Sequence, residues 1–127
     1  MRVAGIVGVV LLAAVEVFQI ALALGAPLGK ASWGGRHPGV LPVRLRIASG
    51  VAAILIYPLM AFLVLAASSL VETDLTAGTR KTAMWVLTAL LGLGALANLA
   101  SRSRVERIWG PVSLGVAICC GLIARGI

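Results

Sequence analysis

The sequence predicts an all-α membrane protein, a single domain (1–127) folded as a compact antiparallel bundle of four transmembrane helices. Three observations predict it. Hydrophobic residues make up 61% of the 127 and charged residues only 12%, with a mean hydropathy of +1.09. Soluble domains carry roughly 25% charged residues, and a short chain has too much surface to cover with so few. The apolar residues fall into four runs, at about 3–24, 47–70, 83–100 and 108–124, near the roughly 20 residues that cross a bilayer as a helix. These runs lack the polar–apolar alternation of barrel strands, so a lipid-exposed backbone must satisfy its own hydrogen bonds as helix.

In a bilayer, small and polar residues mark the packed face, because apolarity no longer distinguishes inside from outside. The first run carries such a stripe at helical spacing: Gly5, Gly8, Leu12, Glu16, Gln19 and Ala23. A carboxylate near mid-membrane costs about 2.5–3.5 kcal/mol on insertion scales, so Glu16 is expected inside the bundle or in a wet cavity. It serves either a titratable binding site or helix packing. A cleavable secretory signal ending near "ALALGA" is the competing reading of this run. Glu16 and Gln19 interrupt it where a signal is most apolar, so a retained helix is expected.

The segment 25–46 contains "GKASWGGRHPGVLP", too rich in Gly and Pro for a long helix. Trp33 suits the membrane interface. Gly34 and Gly35 beside Arg36 have the makings of a backbone nest for an anion such as a lipid phosphate. His37 and Arg44 complete the candidate interfacial set of this loop. The phosphate-loop pattern GxxxxGK[ST] fails, because Leu24 and Ala31 stand where Gly and Ser or Thr are required. One His with no nearby Cys or acid leaves too few ligands for a metal, and no catalytic triad can be assembled. No cofactor is expected.

The second run has the stripe Ser49, Ala53, Tyr57, Ala61, Val64, Ser68, with Pro58 expected to kink the helix and free a carbonyl. Tyr57 falls at nearly the depth of Glu16. The third run aligns Thr88, Gly92, Ala95 and Asn98, the last at the depth of Gln19. A polar cluster of Glu16, Gln19, Tyr57 and Asn98 is therefore expected within the membrane. The loop "SRSRVERIWGP" again joins arginines, Arg102, Arg104 and Arg107, to a tryptophan, Trp109. The fourth run places Ser113, Ala117 and Gly121 on one face, for a neighbouring helix or a dimer partner. Cys119 and Cys120, adjacent in one helix, cannot bridge without distortion and read as small packing residues.

The net charge of +7 flanks the runs, where basic side chains meet anionic headgroups. Without interleaved aromatic and basic residues, nucleic acid is not an expected partner. Four basic residues (Arg2, Arg80, Lys81, Arg125) lie on the side of the termini. Seven (Lys30, Arg36, Arg44, Arg46, Arg102, Arg104, Arg107) lie on the side of the first and third loops. The positive-inside rule then predicts cytoplasmic first and third loops and external termini.

"ALGAPLGKASWGGRHPGVLP", "LRIAS" and "NLASRSRVERIWGPV" together resemble a group of small uncharacterised bacterial four-span membrane proteins. The resemblance implies a bacterial inner membrane and no particular activity. "LLAAVEVFQ" around Glu16 and "GVAICCGLI" are similar to the small multidrug resistance transporters, which carry an essential Glu in the first span. The long first loop and the absence of their aromatic motifs depart from that family. The functional expectation is non-enzymatic binding of a lipid headgroup or a membrane partner. The alternatives are a proton-coupled transporter using Glu16, as a homodimer, and a membrane enzyme acting on lipids.

Overall fold

The structure is a computed structural model that describes residues 2–127. Among the described residues all the regular secondary structure is helical, with no strand. Five α-helices are present: α1 (Arg2–Ala23), α2 (Val43–Val51), α3 (Tyr57–Ala67), α4 (Ala77–Leu99) and α5 (Trp109–Arg125). A π-helical turn, Ala52–Ile56, joins α2 to α3 into one continuous rod, Val43–Ala67. Four helices are thus long and apolar enough to cross a membrane: 2–23, 43–67, 77–99 and 106–125. They are called the first to fourth spans below.

The ends of the spans follow local chemistry more than hydropathy. The first stops at Gly25, whose positive φ of 96° lets the chain turn back. Ala26 N–H donates to Ala21 O at 2.9 Å and Gly25 N–H to Leu22 O at 3.1 Å, which satisfies two terminal carbonyls. A third carbonyl, Ala23 O, accepts from Arg46 Nε at 3.2 Å. The third span begins at residue 77, earlier than the apolar run, because the Thr76 hydroxyl caps it by accepting from Thr79 N–H at 3.1 Å. Arg80 and Lys81 therefore lie within its helix. The second span also starts before its apolar run, at Val43 directly after Pro42.

Pro58 accounts for the π turn. It lacks an amide hydrogen and crowds the carbonyl four residues back, and a wider turn relieves both. The turn also keeps the packed stripe straight. Three consecutive steps of four residues, from Ser49 through Ala53 and Tyr57 to Ala61, would swing an α-helical stripe round by about 120°. With the wide turn inserted, Ser49, Ala53, Val64 and Ser68 are buried and Tyr57 and Ala61 half-buried.

The core joins Leu12 and Ala4 of α1, Val64 and Ala67 of α3, Met84 and Leu87 of α4, and Val116, Cys119, Cys120 and Ile123 of α5. The fourth span is the most enclosed, with 39% of its apolar window buried against 17% for the first. Its small residues meet the third span. Ser113 Oγ donates to Leu91 O at 2.6 Å, Thr88 Oγ1 reaches Ala117 O at 3.4 Å, and Gly121 lies beside Thr88 and Trp85. Gly8 lies against Cys119 and Val64, Gly115 against Leu11, and Phe18 against Trp109 with ring centroids 4.6 Å apart. Cys119 and Cys120 are both free and buried. Large apolar side chains such as Ile54, Leu59, Leu93 and Leu96 face outward.

Candidate functional site

A cavity of about 290 Å³ opens between the spans at the end where the first and third loops lie. Gln19 and Phe18 come from the first span, Ala52 and Tyr57 from the second, Leu91 and Asn98 from the third, and Trp109, Ser113 and Val116 from the fourth. The first loop supplies Ala31, Ser32 and Trp33, and the third supplies Glu106. Five residues singled out in the sequence therefore share one wall: Gln19, Tyr57, Asn98, Trp33 and Trp109. Glu16 stands one turn along α1 from Gln19, within electrostatic reach of the Tyr57 hydroxyl. Three polar atoms here are shielded and lack a hydrogen-bond partner: Glu16 Oε1, Gln19 Oε1 and Trp109 Nε1. Each such atom costs about 1–3 kcal/mol if left unsatisfied, so the walls hold unused hydrogen-bonding capacity.

The first loop is ordered by two short 3₁₀ turns, Gly29–Ala31 and Trp33–Gly35. Gly29 N–H donates to Gly39 O at 2.8 Å, and a Cβ at Gly29 would overlap the His37 carbonyl. Trp33, Gly34 and Gly35 all take positive φ, at 48°, 80° and 70°. For a tryptophan this backbone is strained, and side-chain bonding holds it. Trp33 Nε1 donates to the Ser49 hydroxyl at 3.2 Å, pinning the ring to the start of the second span.

The residue that the sequence reading passes over is Glu106. It is 8% exposed, on a face otherwise supplied with arginines. Its Oε1 accepts from Gly34 N–H at 3.3 Å and its Oε2 from the Ser101 hydroxyl at 2.9 Å. The Ser103 hydroxyl donates to Lys30 O, and Arg107 Nε donates to Ser101 O at 2.8 Å. Gly35 packs so close to Ser103 that a Cβ would overlap it. The Gly34 amide of the expected anion nest is thus occupied by the chain's own carboxylate. The signal available in the sequence was that Glu106 is the sole acid among the seven bases of these two loops.

The arginines do not enter the cavity. Arg36, Arg44, Arg102 and Arg104 are exposed, and none is among the lining residues. His37 is half-buried within the loop turn, away from the cavity wall. No group of three or more His, Cys, Asp or Glu residues among the described residues is placed to hold a metal ion. The arrangement offers an apolar and aromatic pocket with two amides, a phenol and hydroxyls, a carboxylate at its loop end, and cations at the surface beyond. Comparison of the chain with family models, with curated proteins and with solved structures gave no match.

Proposed function

We propose that this chain is a non-enzymatic multi-pass protein of the bacterial inner membrane that binds a membrane lipid in the cavity beneath its first loop. The observation that carries the reading is the wall itself, where Gln19, Tyr57, Asn98, Trp33 and Trp109 converge from four spans and a loop. Ligand sites are concave, mostly apolar, and supplied with a few convergent polar groups. The volume suits a headgroup and the first part of a chain. The exposed arginines of the first and third loops lie where lipid phosphates would sit, with the first and third loops cytoplasmic and the termini external.

In this reading the four spans form a compact antiparallel bundle in the bilayer. The pairings Gly8 with Cys119, Leu11 with Gly115 and Phe18 with Trp109 support it, since one number rises as the other falls. So do Gly94 with Ser113 and Thr88 with Gly121.

Native mass spectrometry of the detergent-purified protein tests the proposal. The wild type is expected to retain a lipid that Tyr57→Leu loses while remaining folded. A wild type that carries no lipid at any detergent stringency, and regains none from added lipid, would sink it. A second reading, proton-coupled transport, is favoured by one feature: Glu16 Oε1 is shielded and unpartnered near Tyr57. It predicts that Glu16→Gln abolishes pH-driven uptake in proteoliposomes, whereas the lipid-binding reading predicts retained lipid in that variant.

A further inference from the structure

The chain has six aromatic residues, three Trp, two Phe and one Tyr, and four of them line this one cavity: Phe18, Trp33, Tyr57 and Trp109. The other two, Phe62 and Trp85, are exposed on the outside of the molecule. Of the eleven Lys and Arg residues, none lines it. The one carboxyl group on its wall is Glu106; a second, Glu16, stands one turn along α1 from Gln19, outside the lining. One of the chain's four acids thus lies on the wall of a cavity with no cationic side chain, in a protein of net charge +7.

This is the reverse of what an anion would need. A phosphate or carboxylate drawn to the exposed arginines would have to leave them and approach the Glu106 carboxylate in a medium where like charges repel strongly. An ammonium group gains on both counts. The quadrupole of an aromatic ring attracts a cation at its face, most strongly for Trp, and more so where water is excluded. The free acceptor Gln19 Oε1 also suits a donor or a positive centre.

We propose that the cavity selects amphiphiles whose headgroup carries an ammonium, the aromatic walls and Glu106 taking the cation while the surface arginines remain outside for a phosphate. This rests on the reading of the cavity as a lipid site, and it assigns the chemical class of that lipid.

Purified protein with Trp85→Phe, a substitution on the outer surface, leaves Trp33 and Trp109 as the emitting residues. It is held in maltoside micelles and titrated with dodecyltrimethylammonium, dodecyl phosphate and dodecanol, which share a chain and differ in head charge. Saturable change in emission is expected for the ammonium compound at about tenfold lower concentration than for the other two. Tyr57→Leu and Phe18→Leu are each expected to weaken it, and two variants guard against one failing to fold. Tetramethylammonium separates sources within a positive result: competition by it extends the site to free organic cations, and its failure to compete confines it to lipids. Equal or tighter saturable binding of dodecyl phosphate or dodecanol would overturn the ammonium assignment and leave the lipid-site reading standing. If no amphiphile of any charge saturates, both fall.

Discussion

At the scale of single residues, Glu106 shows how a charge-poor chain uses an acid. Both carboxylate oxygens accept hydrogen bonds, and one of the donors lies 72 positions away in the first loop. Removing an acceptor strands two buried or partly buried donors, at a cost of about 1–3 kcal/mol. Glu106→Ala is therefore expected to unfold measurably earlier in a detergent thermal melt. Glu106→Gln, which keeps one acceptor oxygen, should fall between the variant and wild type. An Ala variant that melts with the wild type would show that the clasp contributes nothing. Glu106 was hard to read in the sequence because its role lies in a partner 72 positions distant. Gln19, Tyr57 and Asn98 were legible because depth along a helix follows from residue count alone.

At the scale of elements, the four spans were legible from composition, and their inner faces largely so. Gly5, Gly8 and Leu12 are buried as their spacing implies, as are Ser49, Ala53, Val64 and Ser68. Gly92 is the exception. A Cβ added there would meet nothing within 4 Å, although its stripe neighbour Ala95 is buried along with Met84 and Leu87. Small residues announce close packing only where a neighbour comes close, and the sequence does not say which neighbour. The contrast yields a paired prediction. A Cβ at Gly5 would overlap the Ser68 side chain, so Gly5→Ala should destabilise by about 1–3 kcal/mol. Gly92→Ala should stay within about 0.5 kcal/mol of wild type. Unfolding curves in detergent compare the two, and equal effects would contradict the observed packing. The second and third spans begin at 43 and 77, before their apolar runs at 47 and 83, because Pro42 and the Thr76 cap act independently of hydropathy.

At the scale of the whole molecule, the two basic loops share one end, locked by Glu106 and by Ser103 on Lys30 O. In a bilayer this fixes their sidedness together. In a Cys119→Ala, Cys120→Ala background, a membrane-impermeant maleimide should label Arg36→Cys and Arg102→Cys only after the cytoplasmic face is opened. Glu72→Cys should label from outside. Labelling of positions 36 and 102 from opposite faces would refute the topology, and labelling of both from outside would reverse the orientation. The clasp has one more consequence. Ala31, Ser32 and Trp33 line the cavity from the loop side and are tied down across the chain, so an occupant is expected to arrive sideways, from within the leaflet. Its occupancy then responds to its mole fraction among the surrounding lipids, and diluting it into an inert bilayer at constant total amount should empty the site.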